Sequence, residues 1–325
     1  MAEVRRADTV QVTQELHSRL TRRRALAALL ASGSLCLGGR THAQSDQSQR
    51  APPMPKRNPK ASGVARNPVW LSLPPTPNIP IPMRSELAPV NGISIYFAQF
   101  GEGPPLLLLH GGLGNSNYWG HQITELAKRF SVTVMDTRGH GRSPLTSRAF
   151  SYALFAQDAV GLLDFLQIPA AAVVGWSDGA ITGLQLAIAK PDRVSKLFAF
   201  GANSTLGGLK LDGAKSTVFT AYAVRCKGEY AELSPHPEKW PQLMDGLRAM
   251  WRTEPNFTNE KLASINAPTM ISDGEYDEII KPDHTRYMAS AIPGAQLAIE
   301  PNTSHFAMLQ NPAQFNKILL DFLTA

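Results

Sequence analysis

Cysteine is nearly absent from this chain of 325 residues, which holds only Cys36 and Cys226. Two thiols can form one disulfide at most, and Cys36 lies in an N-terminal segment that we expect to be removed. We therefore expect no internal disulfide in the mature protein. Cys226 is expected to be an ordinary packed residue, or part of a lid, rather than a nucleophile.

A long hydrophobic run is also missing near the N-terminus. The stretch from Ala27 to Gly39 is short and weakly apolar, whereas a helix needs about 20 apolar residues to span a bilayer. It follows Arg22-Arg23-Arg24 and precedes Thr41-His42-Ala43, which offers small residues at the two positions that flank a signal-peptidase cut. The segment is similar to a twin-arginine export signal, although Ala25 stands where phenylalanine is usual.

This pattern predicts that residues 1–43 are a signal peptide and that the mature protein is periplasmic or secreted. The chain would then meet the export machinery transiently and would have no stable membrane insertion after signal removal. The alternative interpretation is a basic N-terminal arm that stays on the chain.

Acidic residues are scarce only in the N-terminal quarter of the chain. The formal net charge is +6, yet residues 1–43 carry +4 and residues 44–84 carry +5, which leaves −3 for residues 85–325. A nucleic-acid-binding domain is expected to carry its basic patch on the folded part. The charge pattern therefore argues against nucleic acid as a partner.

Residues 44–84 lack hydrophobic periodicity and are rich in proline, serine, glutamine and arginine. Such a composition cannot bury enough apolar surface to form a core of its own. We predict a disordered or extended linker between the signal and the folded domain.

From residue 85 onward, segments typical of strands alternate with segments of helical spacing. Pro105–Leu109 is a continuous apolar run, as expected for a buried parallel strand. The alternation predicts one α/β domain over residues 85–325, with a mainly parallel sheet flanked by helices. One long stretch lacks a clear strand and carries many aromatic residues, which favours a helical lid at about residues 205–266.

The stretch Gly175-Trp176-Ser177-Asp178-Gly179 follows one apolar run and opens a run compatible with a helix. A serine on so tight a strand-to-helix turn needs small residues two positions before and two positions after it. The turn exposes the hydroxyl beside a helix N-terminus, where backbone N–H groups favour developing negative charge. We therefore predict that Ser177 is a nucleophile.

A serine nucleophile needs a general base, and the base needs a third group to fix its tautomer. His305 follows the last predicted strand in a polar turn, which makes it the candidate base. Asp277 follows Gly274 after the preceding predicted strand, and it is our candidate acid. Three neighbouring carboxylates leave that assignment open: Asp273, Glu275 and Glu278.

A glycine-rich loop, His110-Gly111-Gly112-Leu113-Gly114, follows a predicted buried strand. Its glycines let the backbone turn N–H groups inward, and two such donors are needed to hold the oxyanion of a tetrahedral intermediate. We nominate the backbone N–H groups of Gly112 and Asp178. A phosphate-binding loop is the alternative, but the spacing matches neither common nucleotide-binding fingerprint.

Taken together, these motifs resemble the α/β-hydrolase superfamily over residues 90–325. The resemblance rests on the elbow around Ser177, the His110-Gly111-Gly112 loop, the Asp136-to-Gly141 segment, Asp277 and His305. The elbow is also similar to that of the valacyclovir-hydrolase-like branch, which implies that Asp178 could receive a substrate amino group. Trp176 and Asp178 are our candidate substrate-binding residues. The simpler interpretation makes Asp178 a solvent-facing polar residue at a helix start.

The resemblance implies an exported serine hydrolase that cleaves a carboxylic ester of a small molecule, or a lactone or amide, through an acyl-enzyme. It implies no metal and no cofactor. A serine at the elbow argues against the branches that use an aspartate nucleophile. Two alternatives stay open: a carbon–carbon bond hydrolase with the same triad, and a ligand receptor of this fold with negligible turnover.

Overall fold

The computed structural model describes residues 68–325 of the chain. The predicted signal peptide and most of the predicted linker lie outside the described residues. Among the helices of the described part, none is both long enough and apolar enough to cross a bilayer.

The strands of the described chain form a single eight-stranded sheet. They are β1 (Arg84–Val90), β2 (Ile93–Phe100), β3 (Pro105–Leu109), β4 (Ser131–Met135), β5 (Ala171–Trp176), β6 (Val194–Phe200), β7 (Thr269–Gly274) and β8 (Gln296–Glu300). Their spatial order is β1-β2-β4-β3-β5-β6-β7-β8. Strand β2 pairs antiparallel with β1 and with β4, whereas all later neighbours are parallel. The predicted α/β class with a mainly parallel sheet is confirmed.

The described helices flank this sheet or lie in the stretch between β6 and β7. They are α1 (Gly120–Leu126), α2 (Tyr152–Phe165), α3 (Asp178–Ala189), α4 (Thr217–Leu233), α5 (Trp240–Trp251), α6 (Asn259–Ala263), α7 (Pro282–Ala291), α8 (Ala307–Gln310) and α9 (Pro312–Thr324). Helix α2 packs against α3, and α1 packs against α9. Strand β1 and helix α7 were not predicted from the sequence.

The central strands are buried on both faces, which explains their uninterrupted apolar sequence. All six residues of β5 and four of the five residues of β3 are buried. Strands covered by helices on both sides show no polar alternation. Strand β1 differs, since only Ala88 and Val90 of its seven residues are buried, and its sequence carries too weak an apolar pattern to predict a strand.

The stretch between β6 and β7 is helical, in agreement with the predicted lid. Helix α4 buries Tyr222, Cys226 and Tyr230, which are spaced four residues apart and so share one face. Helix α5 buries Leu243, Leu247 and Met250 in the same way. Cys226 is a packed residue, as expected. We refer to residues 201–268 as the lid.

Residues 68–83, here called the strap, lie against the domain although they fall within the predicted linker, and apart from a short 3-10 helix at Val69–Leu71 they form no helix or strand. The Gln310 side-chain amide donates a 2.8 Å hydrogen bond to the carbonyl of Ser72. The ring of Trp70 stacks on Tyr276, with 4.6 Å between the ring centroids. The described end of the linker is therefore attached to the domain.

The strap also contacts lid helix α4. The Arg225 guanidinium donates hydrogen bonds to the carbonyls of Leu73, at 2.9 Å, and Pro74, at 2.6 Å. The Thr76 hydroxyl hydrogen-bonds to the Glu229 carboxylate. Two backbone carbonyls of the strap thus hold the Arg225 side chain of the lid in place.

A buried ion pair joins α2 to the turn after β4. The Arg138 guanidinium donates two hydrogen bonds of 2.7 Å to the two carboxylate oxygens of Asp158, and both side chains are at most 2% exposed. The Asn91 amide donates a further hydrogen bond to Asp158. Because α2 begins at Tyr152 beside the candidate site, this pair fixes one wall of that site.

Replacing Asp158 with alanine leaves the Arg138 charge buried without its partner. We expect Asp158→Ala to lower the free energy of unfolding by about 3–5 kcal/mol, the cost of breaking a buried pair. The matched control is Asp321→Ala, which breaks the exposed Lys317–Asp321 pair on α9 and should cost about 1 kcal/mol or less. Urea unfolding of both variants measures the difference, and equal losses would contradict this account.

Candidate active site

Ser177 lies on a strained turn between β5 and α3. Its backbone has φ +55° and ψ −122°, a region that L-residues seldom adopt. A Cβ atom at Gly175 would overlap the backbone of Ala180, and one at Gly179 would overlap the carbonyl of Leu109. The two glycines are therefore required by close backbone approach, as the elbow motif predicts.

His305 and Asp277 lie side by side in the loops that follow β8 and β7. Nδ1 of His305 and Oδ2 of Asp277 are 2.6 Å apart, and both side chains are 2% exposed. Nε2 of His305 is buried and makes no hydrogen bond within the described part of the chain. His305 and Ser177 line one cavity, so Nε2 is the ring nitrogen left to accept a proton there.

The Asp277 carboxylate is held by backbone donors as well as by the imidazole. Its Oδ1 accepts hydrogen bonds from the N–H groups of Ile279, at 2.6 Å, and Ile280, at 2.7 Å. Burial opposes ionisation of Asp277, but the charge and hydrogen bond of His305 outweigh burial and lower its pKa to about 2. The acid therefore stays ionised at neutral pH.

The imidazole titrates above its ordinary range for the complementary reason. Burial lowers the pKa of His305, but the Asp277 carboxylate more than offsets burial, so that the pKa is raised above 6.5.

The other three candidate carboxylates have different partners. Asp273 accepts hydrogen bonds from the Thr285 hydroxyl and a backbone N–H, and burial and the nearby charge of Asp277 raise its pKa well above the usual range. Glu275 accepts from a backbone N–H at residue 302. Glu278 accepts from the backbone N–H of His305. Asp277 is therefore the carboxylate whose contacts fit the role of triad acid.

The two nominated oxyanion donors lie next to each other. In the described part of the chain, the backbone N–H groups of Gly112 and Asp178 donate no hydrogen bond to a protein acceptor. A Cβ atom at Gly112 would overlap the Asp178 carboxylate and lie 2.7 Å from the Trp251 ring. The Tyr222 hydroxyl donates a 2.7 Å hydrogen bond to the carbonyl of Gly112, so the lid positions this loop.

The Asp178 side chain is 9% exposed, so the solvent-facing interpretation is wrong. Its Oδ1 accepts a 2.7 Å hydrogen bond from the Tyr152 hydroxyl. The indole N–H of Trp251, on lid helix α5, lies 2.9 Å from Oδ2. Burial raises the pKa of Asp178, while these two hydrogen bonds act in the opposite direction. Sequence reasoning missed both partners, which are far from Asp178 in the chain.

Trp176 supports the histidine loop in addition to lining the cavity. Its indole N–H donates a 2.8 Å hydrogen bond to the carbonyl of His305, and the side chain is 1% exposed. The predicted substrate-binding residue is thus also a structural neighbour of the base.

One cavity brings the predicted site residues together beneath the lid, with the exception of Asp277, which lies behind His305. It encloses about 890 Å³ of empty space, part of which is open to solvent. Most of the wall is apolar. In addition to His305, three residues with ionisable side chains line it: Asp178, Lys210 and Glu254. Its lining residues include Gly112, Tyr152, Trp176, Ser177, Phe219, Tyr222, Trp251, Pro255, Ile279 and Ile280.

Known proteins resemble this chain in both sequence and structure. The model of the alpha/beta hydrolase family matches residues 106–318. The human serine hydrolase BPHL is 31% identical over 249 residues, which cover 72% of this chain and 84% of that protein. A pimeloyl-[acyl-carrier protein] methyl ester esterase from Nitrosospira multiformis is 26% identical, over 69% of this chain and 95% of that protein.

A solved structure is also similar to this chain in fold. Est816, described as an N-acyl homoserine lactone degrading enzyme, has a TM-score of 0.62 and 27% identity, and the match covers 74% of this chain and all of that one. The chain belongs to the α/β-hydrolase family. It is an enzyme of the serine-hydrolase type, as the elbow predicted.

Asparagine at position 277 keeps the shape of the side chain but removes the charge that fixes the imidazole. We expect Asp277→Asn to lower kcat by about 10⁴ because tautomer control is lost. The control, Asp273→Asn, should change kcat by less than about tenfold, because Asp273 bonds to the Asp277 carboxyl but not to His305, and an asparagine amide can still donate to Asp277.

The pH dependence gives a second readout for the same pair of variants. The base must be neutral to accept a proton, so wild-type kcat/KM should rise with pH through a midpoint above 6.5, the side to which the His305 pKa is shifted. Asp277→Asn should move this midpoint to lower pH, and Asp273→Asn should leave it in place. If Asp273→Asn lost most of its kcat while Asp277→Asn kept most of it, the assignment of Asp277 as the triad acid would be wrong.

Proposed function

We propose that the protein hydrolyses carboxylic esters through an acyl-enzyme at Ser177. The Ser177 oxygen attacks the ester carbonyl while Nε2 of His305 takes the hydroxyl proton. The N–H groups of Gly112 and Asp178 stabilise the oxyanion. The tetrahedral intermediate then collapses, and His305 delivers its proton to the departing alkoxide. Water repeats these steps on the acyl-enzyme and releases the acid.

The observation that carries the proposal is the buried hydrogen bond between Asp277 and His305. Within the described residues, the other ring nitrogen of His305 makes no hydrogen bond, and His305 lines the same cavity as Ser177. An ionised acid and a base with a raised pKa suit general-base catalysis at neutral pH. The names of the esterase and lactone-degrading relatives also favour an acyl-oxygen bond. The alternative is a carbon–carbon bond hydrolase with the same triad.

Covalent labelling combined with a substrate panel tests the proposal. We expect a fluorophosphonate probe to label the wild type once, at Ser177, and to leave Ser177→Ala unlabelled. The wild type should turn over p-nitrophenyl esters at steady state, whereas Ser177→Ala should lose this activity and keep its thermal unfolding transition. Labelling that persists in Ser177→Ala would contradict the assignment of Ser177 as the nucleophile, and a burst without steady turnover would contradict ester hydrolysis as the activity.

The cavity also favours an acyl group that bears an ammonium. Asp178 and Glu254 both line it, and Tyr152 contacts both carboxylates, through its hydroxyl and its backbone N–H respectively. Within the described residues, Asp178 accepts hydrogen bonds from two neutral side chains, those of Tyr152 and Trp251, and forms no ion pair with a cation. A carboxylate in a water-poor site attracts an ammonium group and repels an anion.

Asp178→Asn keeps the shape of the side chain and removes its charge. We expect it to lower kcat/KM for the phenylalanine p-nitrophenyl ester more than for the 3-phenylpropanoate ester, which lacks the amine. The gap should be about 1–3 kcal/mol, the scale of a charge-assisted hydrogen bond. The matched control is Asp212→Asn, the same charge change at an exposed lid residue, which should affect both esters alike. Equal losses in Asp178→Asn would leave Asp178 with a structural role only.

Export of the protein stays a prediction, because residues 1–43 lie outside the described part. We propose a periplasmic or secreted location on the sequence pattern alone. Mass spectrometry of the purified mature protein tests it: a chain that begins near Gln44 is expected, and an intact Met1 in a cytoplasmic fraction would refute it.

A further inference from the structure

Lys210 places a positive charge in the wall of the catalytic cavity. It lies in the lid shortly after β6, and its backbone N–H donates a 2.8 Å hydrogen bond to the carbonyl of Ile279. The preceding residue, Leu209, forms an isolated bridge with Ile280. Backbone contacts therefore hold Lys210 beside the loop that carries Asp277.

The ammonium group of Lys210 points toward the triad and is not neutralised. Nζ donates one hydrogen bond to the backbone carbonyl of Asp277. No carboxylate of the described chain lies within the 4.0 Å of an ion pair. An ammonium has three donors, so two remain for another partner. Lys210 is also the one lysine or arginine among the described residues that line the cavity.

The charged groups of the cavity are separated into two sides. The Asp178 carboxylate lies against Gly112, one of the two proposed oxyanion donors. Tyr152 bonds to both Asp178 and Glu254, so we place both carboxylates on this side of the cavity, here called the oxyanion side. Lys210 is bonded to the loop of Asp277 and so lies on the side of the acid and base. The cavity wall therefore carries two carboxylates at one side and the Lys210 ammonium at the other.

The reaction determines which half of an ester meets each side. The carbonyl oxygen must lie at the N–H groups of Gly112 and Asp178. His305 must reach the departing oxygen to protonate it. The alcohol half therefore passes the side of His305, where Lys210 stands, and the acyl substituent takes the remaining direction, away from His305.

We propose that Lys210 is a specificity residue that binds an anionic group on the alcohol half of the substrate. This inference rests on the proposed ester hydrolysis. The substrate class is then an ester of a hydroxy acid, whose carboxylate accepts the two free N–H donors of Lys210. With an ammonium on the acyl half, such a molecule would complement the charge of both sides of the cavity.

A pair of substrates that differ only in this group tests the proposal. The anionic members are acyl esters of 3- and 4-hydroxybenzoate, and the neutral members are the corresponding hydroxybenzamide esters. In the wild type, kcat/KM should favour the better carboxylate isomer over its amide by about tenfold or more, as expected for a charge-assisted hydrogen bond. The preference should appear mainly in KM.

Variants at position 210 assign the preference to this side chain. Lys210→Met should abolish it and Lys210→Arg should retain most of it, because arginine keeps the charge. Lys215→Met is the matched control: it removes an exposed lysine of the same lid segment, which pairs with Asp212, and it should leave the preference unchanged. Lys210→Gln provides a second neutral variant if the methionine variant does not fold.

A purely structural role for Lys210 makes a different prediction. If the residue only holds the carbonyl of Asp277, Lys210→Met should lower kcat equally for both substrates and shift the acid limb of the pH profile. That result, or a wild type without a carboxylate preference, would overturn the inference while leaving Ser177-dependent ester hydrolysis intact. Failure to hydrolyse any ester of the panel would instead refute the proposed function, and this inference with it.

Discussion

The tight turn at Ser177 is the constraint on which the rest of the site depends. A positive φ at the nucleophile is tolerated because β5 and α3 fix both ends of the turn, with no room for a Cβ atom at Gly175 or Gly179. The parallel pairing of β5 through β8 then brings the carboxyl ends of these strands to one edge of the sheet. Ser177, Asp277 and His305 each follow such an end, so the topology gathers residues that are spread over more than a hundred positions of the chain.

The lid contacts each part of the catalytic machinery separately. Tyr222 holds the carbonyl of Gly112 in the oxyanion loop, Trp251 donates to Asp178 at the elbow, and Lys210 donates to the carbonyl of Asp277. A displacement of the lid would therefore change all of these positions together. Substrate recognition and assembly of the site are coupled through these contacts, since the same side chains line the cavity.

Local patterns predicted most of the sheet and the order of the site residues. Buried strands such as β5 are uninterrupted apolar runs, and the elbow has glycines where the backbone leaves no space. Strand β1 was missed because its exposed residues leave little hydrophobic signal. Helix α7 was missed for a similar reason, since it buries only Thr285 and Met288. Patterns of this kind report burial, and these two elements have little of it.

Side-chain environments at the site could not be predicted in the same way. The burial of Asp178 depends on Tyr152 and Trp251, which approach it only after α2 and the lid have packed. The choice of Asp277 among several nearby carboxylates depends on one hydrogen bond formed between two loops. The burial of Asp178 and the pairing of Asp277 with His305 both arise from tertiary contacts, which the hydrophobic periodicity of the sequence does not report.

The attachment of the strap has a consequence for where the catalytic unit begins. The region matched by the family model starts at residue 106, yet Arg225 of the lid is held by carbonyls of Leu73 and Pro74. A polypeptide that starts at the first strand would contain every proposed catalytic residue and still lack the groups that fasten α4. Its lid would keep the contacts that Tyr222, Trp251 and Lys210 make with the site, and would lose those that Arg225 makes with the strap. The folded unit of this enzyme therefore begins upstream of the region matched by the family model, in the segment that fastens lid helix α4.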